Sequence, residues 1–211
     1  MTVYDISGVI RNGIWKYGDS YPDYHSIHTS AERDKCFFEI FDVFNSQTGT
    51  YLETAAHING YSGHRLIADV PTNELYDIPC RILHVTPSNG KITAEHLKKA
   101  AEKIDFPHGC AILIDAKHDD WYAPDFLSAA PWLSLDAMEW LLSKNPCLIG
   151  SDTPAWQKDE PVFDIFAPKD ILLLAPLVGL SNIKGANAKL TVLPLKIEGT
   201  CCAPARAIVA E

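Results

Sequence analysis

The sequence predicts a layered α/β domain, and three observations carry that expectation. Unbroken apolar runs such as Cys110–Ile114 read as strands covered on both faces. Stretches with a 3.6-residue apolar period stand between such runs, as helices packed on a sheet would. With 211 residues, 47% hydrophobic and 21% charged, the chain has ordinary globular composition, which excludes wholesale disorder. One domain spanning residues 1–211 is expected.

The elements follow in order. Strands are expected at Val3–Gly8, Cys36–Phe44, Arg81–Val85, Cys110–Ala116, Cys147–Ser151 and Leu190–Ile197. Thr93 reads as the N-cap of a helix whose stripe is Leu97, Ala100, Ala101 and Ile104. Ser134 opens a second, with Leu135, Met138, Leu141 and Leu142 on one face and a stop near Asn145-Pro146. Segments 11–35, 117–133 and 152–161 are irregular, the first polar and rich in Tyr, Asp, Ser and His. Long loops in compact domains are often functional. Trp15, Trp121, Trp132 and Trp156 lie in or beside these loops, either as pocket walls or as core anchors.

Charge and cysteine content narrow the function. Eighteen basic against 27 acidic residues give a net charge of −9, the wrong sign for a phosphate-tracking surface, so no nucleic acid partner is expected. The longest apolar stretch, Ile171 to Leu180, is interrupted by Pro176 and is far short of the roughly 20 residues a membrane-spanning helix needs. Met1-Thr2-Val3-Tyr4-Asp5 has no basic or apolar leader character. A cytoplasmic protein with all six cysteines reduced is expected. None of the six shows CxxC spacing, and the vicinal Cys201-Cys202 pair is poorly placed to bridge itself. Neither a nucleophile elbow nor a phosphate cradle is present, so no nucleotide cofactor is expected.

The segment richest in chemistry is Ser46-Gln-Thr-Gly-Thr-Tyr-Leu-Glu-Thr-Ala-Ala-His57. Glu53 and His57, four residues apart, meet if the segment forms one helical turn. A carboxyl and an imidazole in contact serve as an acid–base pair or share a metal, or form an unremarkable surface pair.

Gln47-Thr48-Gly49-Thr50-Tyr51-Leu52-Glu53-Thr54-Ala55-Ala56-His57 resembles the HxGTHxDxPxH signature of the cyclase family, which includes bacterial kynurenine formamidase (arylformamidase) and isatin hydrolase. Gly49-Thr50 and His57 match, Glu53 stands for the aspartate, and Gln47, Tyr51 and Ala55 replace two histidines and a proline. Further matches run in family order. They are Tyr4-Asp5-Ile6-Ser7, Leu133 to Leu141, Leu148-Ile149-Gly150-Ser151-Asp152-Thr153-Pro154, and Leu193 to Gly199 followed by Ala203-Pro204-Ala205-Arg206-Ala207.

The resemblance implies a swivelling β/β/α-type α/β domain, commonly a homo-oligomer (dimer or tetramer), acting on a small-molecule substrate. It implies a hydrolase cleaving an amide, lactam or lactone of a small aromatic acid, with kynurenine-pathway-like chemistry. The family's signature histidines and aspartate hold a divalent metal, zinc or manganese, and the last histidine is the general acid/base. On that pattern His57, Glu53 and Tyr51 are the catalytic candidates and Gln47, Glu53 and His57 the metal candidates. A second family metal site falls on Phe166 and Val178, which cannot ligate. These replacements imply weak hydrolysis of N-formylkynurenine and make a bound metal doubtful. Two alternatives share the scaffold. One is a metal-free acid–base cyclase, lyase or isomerase using Glu53 and His57, and the other is a small-molecule-binding relic without chemistry.

Overall fold

A computed structural model describes residues 1–31, 36–60, 63–185 and 188–211. Its frame is an eight-stranded sheet in the order β1-β12-β11-β5-β7-β9-β10-β4. The strands are β1 (Val3–Asp5), β4 (Tyr51–Glu53), β5 (Ile78–His84), β7 (Ala111–Asp115), β9 (Leu148–Ser151), β10 (Leu172–Ala175), β11 (Ala188–Pro194) and β12 (Cys202–Ala210). β4 also pairs with β12, Cys202 opposite Glu53 and Pro204 opposite Tyr51. That second pairing closes the sheet into a barrel. The central strands β5, β7, β9 and β10 run parallel, as expected for strands joined through helices.

The apolar runs divide between two cores. Ala111 and Leu113 of β7 point inward with Leu52, Leu174, Val192 and Ala203. Ile112 and Ile114 point outward with Leu97, Met138 and Leu141. The outer layer is α2 (Ala94–Ala100) and α3 (Leu135–Leu142). Burial on both faces is why β7 shows no polar alternation. The two helices begin at their expected caps, Thr93 and Ser134.

Several elements differ from expectation. Polar segment 25–31 forms a strand, β2 (His25–Ala31), in a separate hairpin with β3 (Cys36–Asp42). β12, which closes the barrel, carries Pro204 and many alanines and has no strong strand pattern. β10 lies inside the apolar stretch that ends at Leu180. β6 (Lys91–Ile92) and β8 (Trp132–Leu133) form a short parallel pair. Among the described residues, no helix is long and apolar enough to cross a membrane.

Candidate active site

A cavity of about 450 Å³ opens where β4 ends, lined by Tyr17, Tyr21, Gln47, Tyr51, Glu53, His57, Leu127, Pro154, Ala155, Trp156, Gln157 and Phe163. The signature segment builds one wall. Gly49 has a φ of +79°, and a Cβ there would lie 2.7 Å from Ile10, so both backbone and space require glycine. Thr50 then fastens the strand. Its Oγ1 donates to the Pro176 carbonyl at 2.7 Å, its carbonyl accepts from Ala205, and the Gly8 amide donates to its Oγ1. Strand alternation sends Leu52 into the barrel core and turns Tyr51 and Glu53 together to the cavity. The short helix α1 (Ala56–Asn59) follows at once and carries His57 back over Glu53.

Glu53 and His57 do meet, with His57 Nε2 at 4.0 Å from Glu53 Oε2. The contact crosses a strand-to-helix junction instead of lying on one helical turn. Glu53 is 2% exposed, and its Oε1 has no hydrogen-bond partner. Burial pushes its carboxyl up to about 8. Burial also lowers His57 below the usual imidazole value. Desolvation disfavours the charged form of each group, so near neutral pH the pair is a protonated carboxyl beside a neutral imidazole. One member can give a proton and the other can take one.

The aromatic side of the cavity comes from the N-terminal loop, the loop after β9, and α4 (Val162–Phe166). Tyr17 and Tyr51 share a hydroxyl–hydroxyl hydrogen bond of 2.7 Å. Tyr21 donates to Gln47 Oε1 at 3.1 Å, which orients the amide and leaves its nitrogen to donate. Trp156 is buried beside the cavity, whereas Trp121 packs with Phe126 in a separate cluster. The tryptophans therefore divide between wall and anchor.

The positions inherited from the metal-binding signature do not fit an ion. Burial raises Tyr51 well above the ordinary phenol range, so it is no tyrosinate ligand. Gln47 Oε1 is already an acceptor for Tyr21. Phe166 is fully buried in the outer core and Val178 packs beside the Trp121 cluster. Of the expected metal candidates, Glu53, protonated by its burial, and His57 remain. Sequence reasoning passed over a different group. One ligand atom each from His57, Cys201 and Cys202 lie within 4.8 Å of one another. The thiols lie 144 and more residues from their partners along the chain, and no local spacing rule could have found them.

Other histidines are occupied elsewhere or lie off the cavity. His84 bonds Asp115 at 2.6 Å and the Ile183 carbonyl at 3.1 Å. His118 bonds the Phe126 carbonyl and stacks on the Phe126 ring. Asp152, pushed up to about 7 by burial, accepts from the Ala116 and His118 amides and holds the turn after β9. The cavity lining includes neither His25 nor His64.

A barrel-edge cavity that sets a buried carboxyl beside an imidazole defines an enzyme-type site. The profile of the Cyclase family, described as Putative cyclase, matches residues 4–158, and the chain belongs to that family. It is 29% identical to a kynurenine formamidase of Bordetella petrii over 169 residues, covering 77% of this chain and 76% of that protein. With the Bordetella avium kynurenine formamidase it shares 32% over 139 residues, 63% of each chain. Among solved structures, an isatin hydrolase bound to the product analogue thioisatinate superposes with a TM-score of 0.82 at 21% identity, over 98% of this chain and 91% of that one. A potential metal-dependent hydrolase with cyclase activity superposes at 0.76 and 22% identity, over 99% and 96%. At these identities the superpositions show the fold. The mixed α/β domain with a barrel-like sheet is the family's.

Proposed function

We propose that the chain is an arylformamidase-like hydrolase, cleaving a C–N amide or lactam bond, or a lactone, of a small aromatic acid. The observation that carries this reading is the cavity itself, in which Tyr17, Tyr51, Trp156 and Phe163 face the same space as Glu53 and His57. Aromatic walls suit a flat ring, and the acid–base pair suits the addition of water across a carbonyl. The kinship with proteins named kynurenine formamidase supports the same bond class.

In this reading His57, neutral because burial lowers its basicity, takes a proton from water as the oxygen attacks the carbonyl carbon. The C–O bond forms and the carbonyl becomes an oxyanion. The Tyr51 hydroxyl shares its hydrogen bond with Tyr17 in an arrangement where either oxygen can donate, and in this reading its proton turns to the developing charge, beside the Gln47 amide. Preorganised donors of this kind stabilise the transition state more than the ground state. The C–N bond then breaks, and the Glu53 carboxyl protonates the leaving nitrogen. His57 returns its proton to Glu53 as the site resets. The division of labour follows from two environments that push their groups in opposite directions.

The test is a panel of aryl formamides, aromatic lactams and lactones, with products read by mass spectrometry. Release of formate and the free amine from a formamide, or a ring-opened product heavier by one water from a lactam or lactone, supports the hydrolase. An isomer or dehydrated product would contradict it and favour the cyclase or isomerase alternative. Exposed Ile27, Phe38, Ile40 and Phe41 on the β2–β3 hairpin support the expectation of a homo-oligomer, which light scattering reads. The five described cysteines stand free, in keeping with the reducing cytoplasm expected from the sequence.

A further inference from the structure

The strand pairing that closes the barrel also brings to Glu53 and His57 two thiols that the hydrolase reading does not use. Because Cys202 lies opposite Glu53 in the β4–β12 ladder, and the Thr54 amide donates to the Cys201 carbonyl at 2.9 Å, both thiols face the start of α1. Cys201 Sγ is 3.6 Å from Cys202 Sγ and 3.7 Å from His57 Nδ1. Glu53 Oε2 lies 3.9 Å from Cys202 Sγ. A tetrahedral zinc ion, with Zn–S of about 2.3 Å and Zn–N of about 2.0–2.1 Å, requires ligand-to-ligand edges of roughly 3.5–3.8 Å. Two of the three edges among His57, Cys201 and Cys202 match that range, and the third, from His57 to Cys202, lies within 4.8 Å. The sulfur separation is far too long for a disulfide, whose bond is about 2.05 Å.

A second observation points to the same place. Glu53 is 2% exposed, its Oε1 makes no hydrogen bond, and its other oxygen is turned to Cys202 and His57. Buried polar oxygens are nearly always satisfied, and an idle one on a carboxyl whose other oxygen faces Cys202 and His57 marks a missing partner.

We propose that His57, Cys201 and Cys202 bind a soft divalent cation, with Zn²⁺ the fitting ion and Glu53 or water in the fourth position. Thiolate and imidazole ligands select zinc over manganese, magnesium and calcium, which take oxygen. The site differs from the signature positions at Gln47 and Tyr51, and it is reached from the cavity side. His57 is exposed, Cys201 half-buried and Cys202 buried, a graded path inward. Binding releases the thiol protons. It also takes His57 Nδ1 and leaves the proton on the other ring nitrogen, nearer Glu53, so the zinc-bound chain is a state in which His57 is not the proton acceptor of the hydrolysis.

The experiment is a titration of the reduced, chelator-treated full-length chain with Zn²⁺, Co²⁺ and Mn²⁺. Expected are one zinc retained per chain after gel filtration and elemental analysis, a thiolate-to-cobalt charge-transfer band with Co²⁺, and no retained manganese. Outer hydrogen-bond partners of metal sites are already worth roughly 10–100-fold in affinity. Replacing both thiols, Cys201→Ser with Cys202→Ser, should therefore weaken zinc binding by about a hundredfold or more and abolish the band, while Cys147→Ser keeps both. If the double variant does not fold, alkylation mapping of the wild type decides, since bound zinc should slow labelling of Cys201 and Cys202 relative to the zinc-free chain and leave the rate at Cys147 unchanged. Failure to retain zinc, a band that survives in the double variant, or unshielded thiols would overturn the proposal. None of these readouts involves turnover, so they stand or fall apart from the hydrolase reading.

Discussion

Replacing Glu53 by glutamine in metal-free protein should change how stability depends on pH. The carboxyl is almost wholly buried and is pushed up to about 8 from an ordinary 4.5 by that burial. Between those values the folded chain holds a proton that the unfolded chain has released, so stability falls as pH rises. Below 4.5 both states are protonated, and above about 8 both are ionised, so the loss is confined to that window. At 1.36 kcal/mol per pH unit, the window amounts to as much as about 5 kcal/mol. Glu53→Gln removes this titration while keeping the shape. Its stability relative to wild type should therefore climb by up to about 5 kcal/mol between about pH 5 and pH 9. Urea unfolding of both proteins in chelator reads the difference, and contributions common to both, such as that of Asp152, cancel. A difference that stays constant with pH would refute the reasoning, because it would mean that the carboxyl is already ionised in the fold.

Three further outcomes are expected for the site. Tyr51→Phe should lower kcat by about 10²-fold, the cost of one oxyanion donor, with unchanged circular dichroism; an unchanged kcat removes Tyr51 from the chemistry. The pH profile of kcat/KM should rise through a value below 6.5 as His57 loses its proton and fall near 8 as Glu53 loses its own, whereas a flat profile across that range would contradict the division of roles. Hydrolysis of N-formylkynurenine should stay below about 10⁴ M⁻¹s⁻¹, the lower end of ordinary enzymes, because Gln47 and Tyr51 replace ligands at the signature positions and Phe166 and Val178 at the second site. A faster rate would show that this chain has recovered what those positions lost.

Much of the fold was legible because burial leaves a clear mark on composition. β7 reads as a strand from Ala-Ile-Leu-Ile-Asp alone, and Thr93 and Ser134 announce their helices. β4 is only three residues long, and β12 mixes alanines with Pro204, so neither carries a periodic pattern. Their partners across the closed barrel decide their conformation. The site divides the same way. Glu53 and His57 were visible because they are four residues apart, and Gly49-Thr50 because one backbone turn demands them. The thiols were not, since Cys201 and Cys202 reach His57 and Glu53 only through the β4–β12 pairing. In the sequence they read only as a vicinal pair poorly placed to bridge itself.

Hydrolysis by this cavity is tested most directly by kcat/KM for wild type and His57→Ala on the best substrate of the aromatic amide and lactam panel. His57 sits at the cavity with its side chain 36% exposed, so its loss should leave the circular dichroism spectrum intact. Removal of the proton acceptor predicts a fall of about 10²–10⁴. Equal kcat/KM in the two proteins would contradict the mechanism and move the chemistry to another part of the molecule.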